Sequence, residues 1–163
     1  MTWSFVPTIV DNWSQYYSNH RAVSVLIRFL HIAALVSAAG PALAMDQRVL
    51  LAALRGSRSQ EETLVALRHI HKRIVICLFI VAATGVLMTT ADLATFLTSR
   101  LYWAKMTLVA FLITNGALII SAEHRVARVG VAAGWGRLAI VSGLSALLWL
   151  TILYVGVWLT AAA

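Results

Sequence analysis

The sequence carries little charge, a single cysteine and two prolines. Charged residues make up 12% of its 163 positions, whereas a soluble domain has about 25%. So few charges would leave large apolar patches on a soluble globule, which excludes a soluble enzyme and a disordered chain. The lone Cys77 excludes an intrachain disulfide framework and a zinc site of the CxxC kind.

Apolar residues fill most of the chain instead, at 61% of positions with a mean hydropathy of +0.84. A membrane-spanning helix needs about 20 mostly apolar residues, and four stretches of the sequence meet this requirement. They run from Ala22 or Phe29 to Met45, from Ile74 to Ala91, from Leu101 to Ala122, and from Leu138 to Ala163. The sequence therefore predicts an all-α, integral membrane four-helix bundle over residues 22–163.

The first 21 residues differ from this bundle in being rich in aromatic side chains, including Trp3, Trp13 and Tyr16. Aromatic rings prefer the membrane interface, which favours a short interfacial helix over a disordered tail. The segment lacks the basic and continuously apolar regions of a signal peptide, so we expect a mature, complete chain. We also expect a kink near Pro41. Residues 46–66 are expected to be a cytoplasmic extension of the first helix followed by a turn near Gly56-Ser57.

The basic residues are unevenly distributed between the predicted connections. Nine of the 13 lie between the first and second helices or between the third and fourth. Lysine and arginine accumulate in cytoplasmic loops, so we expect a bacterial inner-membrane protein with both termini outside. The net charge of +7 then reflects orientation in the lipid bilayer, and no nucleic-acid partner is implied.

Two ionisable residues, His31 and Lys105, fall inside predicted spans at similar depth. Such groups are costly in lipid and indicate function by default. His31 is a candidate metal or haem ligand; the alternative is a helix-packing histidine. Lys105 is a candidate partner for an anionic group, and the alternative is a side chain that extends to the outer headgroups.

Other polar residues give weaker signals. His69 and His71 are interpreted as part of a cytoplasmic basic layer that His124 could join, with a second haem site there as the alternative. Asp46, Asp92 and Glu123 are expected at helix ends, so no paired intramembrane carboxylates are predicted. A stripe on the fourth helix is interpreted as a packing seam, formed by Ser142, Ser145, Trp149 and Gly156.

Three segments resemble the landmarks of one membrane family. They are RFLHIAALVSAAG (28–40), HKRIVICLFIVAATGVLM (71–88) and LYWAKMTLVAFLITNGAL (101–118). In this order they look like the four-helix family of HemJ-type protoporphyrinogen oxidases and copper-resistance D (CopD-like) domains. The landmarks fall on Arg28 and His31, on Thr84-Gly85, and on Tyr102, Trp103 and Lys105. A tryptophan expected after the first histidine is replaced by small residues around Ala38.

The resemblance implies a haem-binding oxidoreductase that transfers electrons or protons. By it, His31 would be the ligand of haem b and Lys105 the functional, catalytic lysine, with Arg28 as a further cofactor-binding candidate. Independently of the resemblance, Met88 is also a candidate, because it falls in the outer layer near His31 and methionine can be an axial haem ligand. The CopD-like alternative is copper handling, with ligands from His31, Met88 and Met106. A third alternative is a non-catalytic subunit of a larger membrane complex or a homo-oligomer.

Overall fold

The computed structural model describes residues 5–55 and 57–162, and within them it contains helices and no strands. This confirms the predicted all-α class. The helices are α1 (Phe5–Asn19), α2 (Arg21–Arg55), α3 (Ser57–Ala91), α4 (Leu93–Thr98), α5 (Arg100–Val129) and α6 (Val131–Ala162).

Four of these helices, α2, α3, α5 and α6, are long and apolar enough to cross a membrane. Many of their large apolar side chains point away from the protein. Phe79, Ile140 and Val157, for example, are 75%, 73% and 70% exposed. An apolar surface of this extent is compatible with lipid and not with water. The chain is therefore a multi-pass membrane protein, as predicted.

The four long helices pack as two hairpins. Helix α2 packs against α3, α5 packs against α6, and α2 also packs along α6, which joins the two hairpins. The hairpin turns are short: Gly130 alone separates α5 from α6, and its φ of 88° suits glycine. Residues remote in sequence, such as His31 and Lys105, are thereby brought to one end of the bundle.

Two of the three buried clusters follow one another along the bundle axis. Near the two turns, Val49, Val126 and Leu138 are almost completely buried with their neighbours. In the middle, Ala38 and Trp149 belong to a second buried cluster. The small alanines of α2 let α6 approach closely, and the predicted seam residues Ser142, Ser145 and Trp149 are all buried.

As predicted, the first span continues as helix beyond the apolar run: α2 ends at Arg55 and α3 begins at Ser57, while Gly56 itself lies outside the described residues. Helix α2 runs through Pro41 without a break. Other helix bounds differ from the prediction. Helix α6 begins at Val131, earlier than predicted. The short helix α4 was not predicted; Asp92 caps it by accepting a hydrogen bond of 3.2 Å from the Thr95 N–H.

The aromatic N-terminal segment forms helix α1, which packs against α2 and α3. Its side chains bind carbonyls near the end of α3. Trp13 Nε1 donates to Leu87 O at 2.9 Å, and Ser14 Oγ donates to Ala91 O at 2.7 Å. The second bond satisfies a carbonyl that the helix end leaves open. Its interfacial position stays a prediction, and Trp3 lies outside the described residues.

Candidate functional site

His31 and Lys105 lie at the same end of the bundle, where α1 and α4 also lie. His31 is on α2 and Lys105 on α5, both are half-buried, and they are near enough for the lysine charge to act on the imidazole. We call this the His31 end. The sequence predicted a common depth for these two residues, and the structure places both at this end.

The hydrogen bonds of Thr84 favour the tautomer of His31 that carries its proton on Nδ1. His31 Nδ1 lies 2.9 Å from Thr84 Oγ1. The Thr84 hydroxyl has one proton, which it donates to carbonyls one turn earlier, Ile80 O at 2.6 Å or Val81 O at 3.1 Å. Thr84 Oγ1 therefore accepts from His31 Nδ1–H. In the neutral imidazole this leaves the lone pair on Nε2, the atom that can bind a metal.

Two glycines make room for the basic side chains. A Cβ atom at Gly85 would lie 3.4 Å from His31 Cε1, so the imidazole ring packs directly on the α3 backbone. A Cβ atom at Gly156 would lie 3.7 Å from Lys105 Nζ, so the ammonium group lies over α6. All four long helices thus contribute to the His31 end: His31 from α2, Thr84 and Gly85 from α3, Lys105 from α5 and Gly156 from α6.

The charge at this site is uncompensated among the described side chains. The ion pair found among them joins His71 to Glu123, at the other end of the bundle, and no described carboxylate pairs with Lys105. A neutral imidazole and an ammonium group side by side present one lone pair and one positive charge. This combination suits an anionic ligand that also carries a metal.

Arg28 and Met88, the other predicted cofactor residues, are engaged with α1. Arg28 is exposed, and its Nε donates to the Tyr17 hydroxyl at 3.3 Å. Met88 packs against the cluster of Tyr17, Ile27 and Ala91. The structure thus shows these two residues holding α1 to the bundle.

The expectation that Asp46 and Glu123 lie at helix ends is wrong. Both lie inside helices, because α2 and α5 extend beyond the predicted apolar stretches, and they are 4% and 7% exposed. Glu123 Oε1 lies 3.2 Å from His71 Nδ1, whereas the neighbouring His124 is exposed. We call this region, near the two hairpin turns, the Asp46 end. The sequence signal for this region was that Asp46 and Glu123 each lie directly next to an apolar stretch.

Neither family models, curated proteins nor solved structures gave a match to this chain. In the part of the chain that the structure describes, no three His, Cys, Asp or Glu side chains are grouped so that they could hold a metal ion. The His31 end offers one imidazole nitrogen, which is sufficient to bind a metal already held in a macrocycle.

Proposed function

We propose that the protein binds a b-type haem at the His31 end and serves electron or proton transfer. The observation that carries this proposal is the hydrogen bond from His31 Nδ1–H to Thr84 Oγ1. A histidine that binds a metal through one ring nitrogen usually donates its other ring N–H to an acceptor, which fixes the orientation of the ring. Thr84 is such an acceptor for Nδ1–H, and Nε2 is the nitrogen left for the metal.

The residues present fit a haem in two respects. His31 would supply one nitrogen ligand, and Lys105 would supply a cation for a propionate group. A bound haem would supply reversible one-electron chemistry. Thr84 would hold the imidazole, and Lys105 would hold the anionic edge and a proton beside it. Porphyrinogen oxidation is the reaction that the HemJ resemblance adds to this proposal.

The test is a reduced-minus-oxidised spectrum of the purified protein, produced in cells supplied with haem precursors. We expect a b-type band that is lost, or shifted with reduced occupancy, in His31→Ala. The matched control is His124→Ala, which removes an exposed histidine from α5 and should leave the band unchanged. Absence of a b-type band from the unsubstituted protein would contradict the proposal.

The same preparation tests copper handling. The Nε2 lone pair of His31 would also suit copper. A copper site would need further soft ligands such as a methionine sulfur, but Met88 packs against the cluster of Tyr17, Ile27 and Ala91. We therefore expect metal analysis to show iron as haem. Copper bound at one ion per chain without haem would favour the CopD-like function instead.

We also infer that the membrane is a bacterial inner membrane and that both termini are outside. The uneven distribution of basic residues supports this orientation. The His31 end would then face the periplasm, and the Asp46 end would face the cytoplasm.

A further inference from the structure

A cleft lies between α2 and α3, beside the turn that joins them. The side chains that line it and carry the argument below are Arg48, Leu51 and Arg55 of α2, and Ser59, Glu62 and Thr63 of α3. On each helix these positions lie three, four or seven residues after the first one, which places them on one face. The cleft has a volume of about 230 Å³, below the roughly 300–1,000 Å³ of a pocket that encloses a drug-sized ligand. A small polar group therefore fits it better than a whole organic molecule.

The α2 side of the cleft carries two guanidinium groups. Arg48 and Arg55 lie two helical turns apart and are exposed. The ion pair found among the described side chains joins His71 to Glu123, so neither arginine pairs with a described carboxylate. A guanidinium group has five N–H donors in a planar arrangement that matches the oxygens of a phosphate. These donors remain available to a ligand in the cleft.

The α3 side of the cleft adds donors from the start of a helix. Ser59 lies in the first turn of α3, where backbone N–H groups have no partner within the helix and the helix dipole is positive. Gln60 Nε2 donates to Ala52 O at 3.3 Å and holds this turn against α2. Thr63 Oγ1 donates to Ser59 O at 2.7 Å, so the hydroxyl that α3 offers to a ligand is that of Ser59. The cleft thus presents donors to an anion from both helices.

Glu62 determines how much negative charge the cleft accepts. Two guanidinium groups and one carboxylate give these lining side chains a net charge of +1. A phosphodiester carries a single negative charge and would balance it. A phosphate monoester carries about −1.5 to −2 at neutral pH, which exceeds the charge of the lining. The charges therefore favour a phosphodiester.

Apolar side chains adjoin the charged cleft. Leu51 lines it and is 37% exposed, and Leu54, on the next turn of α2, is 85% exposed. We propose that the cleft binds the phosphodiester headgroup of an anionic phospholipid, with its acyl chains beside these leucines. Basic pockets between membrane helices recognise such headgroups in other proteins. In the orientation proposed above, the lipid would belong to the cytoplasmic leaflet.

This site is separate from the proposed haem site. Arg48 follows His31 by 17 positions on α2, a rise of about 25 Å at 1.5 Å per residue. The lipid proposal is independent of the haem proposal, since the headgroup contacts none of the residues assigned to haem.

The first test is native mass spectrometry of the purified full-length protein. Phosphatidylglycerol and phosphatidylethanolamine with identical acyl chains are added in equal amounts. We expect one phosphatidylglycerol to be retained in preference, because the ammonium group of phosphatidylethanolamine would leave the positive charge of the cleft uncompensated. Equal retention of the two lipids would overturn the proposal. Sodium phosphate that displaces phosphatidylglycerol would assign the cleft to free phosphate and overturn the lipid assignment.

The second test compares two double variants in the same measurement. Arg48→Gln with Arg55→Gln should weaken the binding of phosphatidylglycerol by roughly tenfold or more. Arg125→Gln with Arg128→Gln removes the same charge from exposed positions of α5 and should leave the binding unchanged. Equal loss in both double variants would show a general effect of surface charge and overturn the proposal. The bound lipid is counted by mass with or without haem, so none of these outcomes bears on the haem spectrum.

Discussion

At the scale of single residues, Thr84 decides what His31 can do. Its hydroxyl donates to the carbonyls of α3 and accepts the proton of His31 Nδ1. In Thr84→Val the acceptor is lost while the shape is kept, so the buried imidazole N–H loses this partner and the ring can rotate. We expect the haem band to shift or lose occupancy and the protein to be destabilised by about 1 kcal/mol. Visible spectra and thermal unfolding measure the two effects.

Thr84→Ser is the matched control, because it keeps the hydroxyl that accepts from the imidazole. Its spectrum should resemble that of the unsubstituted protein. If the valine and serine variants have the same spectrum, the hydrogen bond does not orient the ligand, and Thr84 serves only in packing.

The sequence was informative for some of the polar residues and not for others, for a physical reason. His31 and Lys105 lie within apolar runs, where the cost of burial singles them out. The burial of Asp46 was missed because hydropathy places a helix end at the first polar residue, while burial depends on the neighbouring helix. The role of Thr84 was equally hidden, since a hydrogen bond between α2 and α3 has no signature in either segment alone.

At the scale of helices, the α5–α6 hairpin depends on close contact at Gly134. A Cβ atom there would lie 2.8 Å from both Cα and Cγ2 of Val126, and the backbone atom cannot move without shifting α5. We expect Gly134→Ala to lower the free energy of unfolding by about 1–3 kcal/mol. A Cβ atom at Gly136, two residues later, would meet no neighbouring side chain or helix within 4 Å.

Gly136→Ala is therefore the matched control for this contact. Alanine is favoured over glycine in a helix by up to about 1 kcal/mol, so this variant should be as stable as the unsubstituted protein or more so. Thermal or denaturant unfolding in the same detergent compares the two. Equal stability of both variants would contradict the close α5–α6 contact.

Helix positions were more predictable than helix ends. The four spans follow from apolar length alone, because each must satisfy its own backbone hydrogen bonds in lipid. Their extensions beyond the apolar runs, such as α2 to Arg55, depend on packing against neighbouring helices, here through Val49 and Ala52. Helix α4 is six residues long and too short to have a hydropathy signal.

At the scale of the whole molecule, His31 and Asp46 lie in opposite halves of one bundle. Between them lies the apolar cluster of Ala38, Ala42 and Trp149. The basic residues follow the same division, and most of them lie in the half that contains Asp46. Those described there include Arg48, Arg55, Arg125, Arg128 and Arg137. The orientation proposed above rests on this charge distribution.

This orientation can be measured by cysteine labelling. In a Cys77→Ala background, Ala94→Cys places an exposed thiol at the His31 end, and Leu54→Cys places one at the Asp46 end, where Leu54 is 85% exposed. Because basic loops stay in the cytoplasm, a membrane-impermeant maleimide should label Ala94→Cys in intact spheroplasts. It should label Leu54→Cys only after permeabilisation. The reverse pattern would place the His31 end in the cytoplasm and contradict the proposed orientation.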